Sequence, residues 1–201
     1  MAKSLMDPAI TKSELRARLR KERREHAAAQ PDSIRALLFH TPPRPLLANL
    51  ASNTVIGLYH ASAHEAPTAG YARYFHENGH RVALPRFASE TATMEFAEFT
   101  DPFGESDLEP GPFGIIQPSS DAATITPGAL FIPLVGFTPS GKRLGQGGGH
   151  YDRWLAEHPA ALKIGLAWDI QCVEPEDALP TEPHDIALDA VVTPTRMYGN
   201  L

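Results

Sequence analysis

The sequence predicts an open, largely parallel α/β sheet preceded by a basic helix. Three observations lead there. Short apolar runs rich in β-branched residues alternate with helical segments. A glycine-rich segment follows the strongest of those runs. A Lys/Arg-rich stretch with a helix-start pattern comes before the first strand.

In chain order, residues 11–29 (TKSELRARLRKERREHAAA) form the clearest helix. Thr11 is the expected N-cap, with Glu14 three residues on completing a capping box. Leu15 and Leu19 lie four apart on one face, and Lys12 and Arg16 on an adjoining one. A second helix is expected over 31–40, stopped by Thr41-Pro42-Pro43-Arg44-Pro45. TVIGLY (54–59) reads as a buried strand, 68–78 as a helix ending at Gly79, and RVALP (81–85) as the next strand. MEFAEF (94–99) alternates as a half-buried strand does. The Pro-, Gly-, Ser- and Asp-rich stretch 100–128 is expected to be loop, lying over a site. Strands follow at 129–137, 163–168 and 188–193, with a short helix near 150–158. The expectation is one domain over 1–201, with a helical segment at 11–40 and an α/β core at 50–194.

Composition excludes several classes. No apolar run approaches the roughly 18 residues needed to span a bilayer. The opening residues lack the apolar stretch of a secretory signal. Cys172 is the only cysteine, so no intrachain disulfide forms; a reducing, cytoplasmic setting and a buried apolar role for Cys172 are expected. The net charge is −6, from 18 basic and 24 acidic residues. Seven of the basic residues and two of the acidic ones lie between Lys12 and Arg24, leaving eleven against 22 elsewhere. Such a body repels a nucleic-acid backbone, and the basic helix lacks aromatic interleaving, so a nucleic-acid adaptor is disfavoured. The nine histidines form no zinc-type cluster. Trp154 and Trp168 are expected to pack rather than stack on a ligand.

Chemistry concentrates in the loop 141–153, Gly141-Lys142-Arg143-Leu144-Gly145-Gln146-Gly147-Gly148-Gly149-His150-Tyr151-Asp152-Arg153. Its glycines let backbone N–H groups approach a ligand closely, and the following helix adds its positive end. Lys142, Arg143 and Arg153 flank it, so it reads as a polyphosphate cradle. It is neither a Walker A sequence nor a dinucleotide fingerprint. The same geometry also serves as a tight connection without a ligand, as Lys12 and Arg16 also suit a solvated helix face.

Arg143-Leu144-Gly145-x-Gly147-x-Gly149-x-Tyr151-Asp152-Arg153 after an apolar strand resembles the signature of the 5-formyltetrahydrofolate cyclo-ligase family. Lys12-Ser13-Glu14-Leu15-Arg16 is similar to its N-terminal Lys-x-x-Leu-Arg element, and Glu65-x-x-Thr68 to its substrate-binding Glu-x-x-Thr. Leu84-Pro85-Arg86, Ile164 to Trp168 with Gln171, Leu179-Pro180 and His184-Asp185 agree in order and spacing. The likeness runs from about residue 12 to 194. Two positions depart from it: His150 stands where the family is usually aromatic, and Thr138 where it often has Asp.

The resemblance implies a three-layer α/β/α fold and ATP-dependent closure of 5-formyltetrahydrofolate to 5,10-methenyltetrahydrofolate through a phosphorylated formyl group. It implies ATP binding by Lys12, Ser13, Glu14, Leu15 and Arg16, and by Arg143, Leu144, Gly145, Gln146, Gly147, Gly148, Gly149, His150 and Tyr151. Folate would meet His60, Glu65, Gly149, His150 and Tyr151. Lys12, Arg143 and Tyr151 would be catalytic, and Asp152 and Asp185 would hold Mg²⁺. A monomer with no nucleic-acid or membrane partner is expected. The rival readings are an ATP-using relative with a non-folate substrate and a catalytically silent nucleotide-binding regulator.

Overall fold

A computed structural model of the chain describes residues 11–35, 37–175, 178–199 and 201. Residues 1–10, whose sequence lacks a signal-like stretch, lie outside them. Helix α1 (Lys12–Ala29) starts at Thr11, whose hydroxyl accepts the Glu14 N–H while the Glu14 carboxylate accepts the Thr11 N–H, so the capping box forms. Two short helices follow, α2 (Asp32–Arg35) and α3 (Arg44–Ala48). The single helix expected over 31–40 is therefore cut to one turn, and a new one opens inside the expected stop. Pro45 sits in the first turn of α3, where no intrahelical N–H is lost.

The sheet has seven strands in the order β11-β10-β9-β6-β1-β2-β3. These are β1 (Ile56–Gly57), β2 (Val82–Arg86), β3 (Glu95–Phe99), β6 (Ala129–Pro133), β9 (Leu162–Leu166), β10 (Ala190–Val192) and β11 (Met197–Tyr198). The inner strands run parallel, and β3 and β11 close the two edges antiparallel. Alternate residues of β6 serve opposite faces. Ala129 and Phe131 pack with Tyr71 and Phe75 of α4 (Ala69–Glu77), and Leu130 and Ile132 with Trp154 and Leu155 of α5 (His150–Glu157). Helices thus cover both faces, the expected three-layer α/β/α arrangement.

Two further regions differ from the expectation. The run 129–137 is not one strand: β6 ends at Pro133, which cannot donate to a ladder, and Gly136–Phe137 (β7) pairs instead with Arg143–Leu144 (β8). The glycine loop therefore leaves a hairpin, not a sheet strand. Thr138 closes that hairpin, its hydroxyl accepting the Lys142 N–H. The stretch 100–128 is not all loop, since β4 (Leu108–Pro110) and β5 (Ile116–Pro118) form a second hairpin. Arg86, at the end of β2, pairs with Glu95 and donates to the carbonyls of Ser119 and Ala122, tying that hairpin's exit to the sheet.

Candidate active site

In an open α/β sheet, the crevice lies where consecutive connections leave on opposite sides. Here β1 sits between β2 and β6. The segments leaving β1, β2 and β6 diverge there and wall a cavity of about 460 Å³. It has a charged side and an apolar side.

Helix α1 builds most of the charged side. Lys12, Arg16, Arg20 and Arg23 recur at helical spacing along one stripe, of which Arg16 and Arg20 reach the glycine loop. Arg16 Nε donates to the Gly145 carbonyl at 3.0 Å, and Arg20 to the Gln146 carbonyl. From the other side Arg153 Nη2 donates to the Gly148 carbonyl at 2.9 Å. With these carbonyls engaged by guanidinium groups, the loop offers a ligand its N–H groups. Glycine is required at two points: Gly147 has φ of 109° and Gly149, the N-cap of α5, has φ of 65°.

Opposite charges are paired across the cavity floor. Lys12 Nζ lies 2.6 Å from both Glu182 and Asp185. Burial alone would lower the Lys12 pKa; hydrogen bonds to the two carboxylates outweigh it and leave it raised. Burial likewise pushes Asp185 up, but the Lys12 contact and the Glu182 N–H leave it lowered. The buried Arg143 pairs with Asp152 Oδ1, which also accepts the Ile186 N–H, and Arg143 Nη1 donates to the Ile186 carbonyl. Among the described residues, Glu182, His184 and Asp185 offer ligand atoms within 4.8 Å of one another. Asp152 is not in that group. The two aspartates expected to share a metal thus stand in separate pairs, one with Lys12 and one with Arg143.

Glu65 lies where the two sides meet. Its Oε2 accepts the Ser62 N–H at 2.9 Å and its Oε1 the Gln146 amide at 3.1 Å. Gln146 therefore ties the glycine loop to this carboxylate. The Tyr151 hydroxyl is pushed up, first by burial and then by the Glu65 charge, so it stays protonated and can donate. His60 lines the rim, with Nε2 3.3 Å from Glu105.

The apolar side is a cluster of rings. Phe87 stands edge-on to Phe113 at 5.3 Å and to His150 at 4.9 Å, with Phe113 and His150 5.6 Å apart. Gln117 fixes Phe87 through both backbone groups, accepting its N–H and donating to its carbonyl. Phe113 has a left-handed φ of 61° at the tip of the β4–β5 hairpin, which turns its half-exposed ring to the cavity. Burial lowers the His150 pKa, helped by Arg153, so a neutral ring completes this wall.

Of the residues expected at the site, Lys12, Arg16, His60, Glu65, Arg143 to Asp152 and Asp185 all line the cavity. Ser13, Glu14 and Leu15 do not: Leu15 is fully buried beneath α1, Glu14 caps the helix, and Ser13 faces solvent. Trp168 packs as expected, buried against His26 and Phe39, and its Nε1 anchors the His64 carbonyl. Trp154 stacks on His158. Cys172 is half-buried rather than buried, and the desolvation raises its thiol pKa. Sequence reasoning missed Glu182, Arg20, Arg23, Phe87 and Phe113, and quoted His184 only as the neighbour of Asp185. The stripe spacing could have found the two arginines; nothing in residue type marked the others.

Comparison with known proteins places the chain in context. The model of the 5-formyltetrahydrofolate cyclo-ligase family matches residues 9–194. A 5-formyltetrahydrofolate cyclo-ligase of Escherichia coli is 40% identical over 100 residues, which are 47% of this chain and 53% of that one. One from Haemophilus influenzae is 32% identical over 66% of this chain and 72% of its own. The matched stretch thus spans about half the length of the E. coli relative. Two solved 5,10-methenyltetrahydrofolate synthetases share the fold at 24% identity. That of Mycoplasma pneumoniae has a TM-score of 0.65, covering 90% of this chain and 98% of its own. That of Aquifex aeolicus has 0.66, covering 94% and 93%.

Proposed function

The chain belongs to the 5-formyltetrahydrofolate cyclo-ligase family, and on that premise we propose that it closes 5-formyltetrahydrofolate to 5,10-methenyltetrahydrofolate with ATP. One observation carries the reading: a single cavity joins a glycine loop ringed by cations to an aromatic wall, with a carboxylate at the junction. Phosphates suit the first, a flat pterin suits the second, and Glu65 suits the pterin's N–H groups.

The formyl oxygen is a poor leaving group, so N10 cannot displace it directly. Transfer of the γ-phosphoryl group to that oxygen, with ADP leaving, gives an imidate phosphate. N10 then attacks the formyl carbon, loses its proton, and expels phosphate as the ring closes. Lys12, Arg16 and Arg143 would offset charge on the transferring group, and the loop N–H groups would hold the remaining phosphates. Tyr151 would orient the substrate through its protonated hydroxyl. Glu182 and Asp185 are hard oxygen donors at hydrogen-bond distance from the Lys12 ammonium, a set that fits Mg²⁺ if Lys12 turns to the phosphates. Asp185 with Glu182 would hold Mg²⁺, and Asp152 would join them only on leaving Arg143; when bound, the ion would supply neutralisation of the phosphate oxygens. A monomer belongs to the same reading, and the lone cysteine suits a cytoplasmic setting. No helix among the described residues is long and apolar enough to cross a membrane.

The test is an absorbance assay for methenyltetrahydrofolate from 5-formyltetrahydrofolate, with and without MgATP. Product should form only with both ATP and the divalent cation, and chelation should abolish it. Binding of ATP without turnover would favour a silent regulator, and equal turnover after chelation would remove the metal.

A further inference from the structure

We propose that Arg23 is a positioning residue that keeps Glu65 aimed at the substrate. This rests on the reading of Glu65 as the folate-facing carboxylate. Arg23 is two turns beyond Arg16 on α1 and does not line the cavity, whereas Glu65 does. The Arg23 side chain is 9% exposed and that of Glu65 13%, with Nη1 3.8 Å from Oε1. Nη1 also donates to the Leu134 carbonyl at 3.2 Å. The guanidinium Nε is buried with no hydrogen-bond partner among the described residues.

A neutral amide would satisfy the Leu134 carbonyl without burying a charge, so that bond does not explain an arginine. What an arginine adds is positive charge beside a nearly buried carboxylate. The other groups around Glu65 supply none: Ser62 gives a backbone N–H and Gln146 an amide, and Tyr59 donates its hydroxyl to the Ala66 carbonyl instead. Arg20, the nearest cation on the same stripe, spends its guanidinium on Gln146. Arg23 is therefore the cation that compensates Glu65 within the wall, out of reach of the substrate. Removing one member of a buried pair leaves the other uncompensated, and the remaining carboxylate then turns away from that position.

The experiment compares steady-state kinetics of Arg23→Gln, Arg23→Lys, Glu65→Gln and the Arg23→Gln/Glu65→Gln double variant. Arg24→Gln removes the same net charge from the exposed neighbour and serves as control. Arg23→Gln should raise the KM for 5-formyltetrahydrofolate about tenfold, with kcat and the KM for ATP within about twofold, the pattern of a lost ground-state contact. Arg23→Lys, which keeps the charge, should stay within about threefold of the parent. In the Glu65→Gln background the Arg23 change should add nothing further, because the two act as one unit. If Glu65→Gln itself leaves the folate KM unchanged, the functional reading of Glu65 fails. If Glu65→Gln raises that KM while Arg23→Gln does not, or if the two effects multiply, the positioning role alone is overturned. Should Arg23→Gln not fold, Arg23→Lys decides: a folded protein with a tenfold higher folate KM would refute the role.

Discussion

The two sides of the cavity are built on opposite principles. The charged side joins residues distant in sequence, as in the Lys12–Asp185 pair at a separation of 173, and each joint is an ion pair or a charge-assisted hydrogen bond. The apolar side is three rings, from the end of β2, the β4–β5 hairpin and the start of α5, held by contact with one another and by the amide of Gln117. A misplaced charge loses both its ligand and its partner, whereas a missing ring loses contact area. Damage to the first side should be steep and selective for the nucleotide; damage to the second should be graded and selective for the folate.

The largest effect should come from Arg143→Met. It strips the buried partner from Asp152, at about 3–5 kcal/mol for breaking such a pair. Turnover at fixed MgATP should fall more than a hundredfold, and a loss below tenfold would erase the contrast between the two sides. Next come Lys12→Ala and Arg16→Ala, each costing about 1.5–3 kcal/mol in kcat/KM for ATP if these cations bond a phosphate. Arg18→Ala and Arg24→Ala, exposed on the same helix, should change it by no more than about 0.5 kcal/mol. Equal behaviour of all four would mean that α1 acts by net charge. Phe113→Ala should be milder, about 0.5–1.5 kcal/mol from the lost ring contact, and visible in the KM for folate but not for ATP.

The smallest effect concerns pH. His150 is held below the usual imidazole value, near 6.5, by burial and then by Arg153. Below that pH the unfolded chain takes up a proton that the folded one resists, so stability falls as pH drops through the window between the two values. Melting temperatures from pH 7.5 to 5 should therefore decline more steeply for the parent than for His150→Phe. Parallel slopes would show that the imidazole stays uncoupled from this wall.

What the sequence disclosed follows the same division. Helix α1 was legible to within a residue because its capping box and propensities act locally. The glycine loop was legible because close approach to a backbone demands glycine wherever the loop lies. The β4–β5 hairpin was hidden, since three-residue strands bounded by Pro and Gly carry no periodicity. Arg86 was legible only as part of a matching Leu-Pro-Arg run; that it ties down the 119–122 turn is visible only in the tertiary structure. Phe87 and Phe113 were invisible for a general reason: an aromatic residue reads as core, as the buried Phe87 in part is, unless a backbone turn exposes it, as at Phe113.

Helix α1 rests on the domain through a small satellite core. Leu15 and Leu19 pack against Val135, Leu144, Val173 and Leu179, apart from the two larger clusters that flank the sheet. Leu19 sits so close to Gly136 that a Cβ there would come within 2.6 Å of its Cδ1. The element supplying Lys12 and Arg16 is thus held by a core of its own, so its opening leaves the two larger clusters intact. Docking of this helix and occupation of the glycine loop then form a single equilibrium. A nucleotide at a hundred times its dissociation constant would add about 2.7 kcal/mol to the hold on the helix. Amide exchange along 12–29 becomes a gauge of how full the nucleotide site is, readable without any turnover.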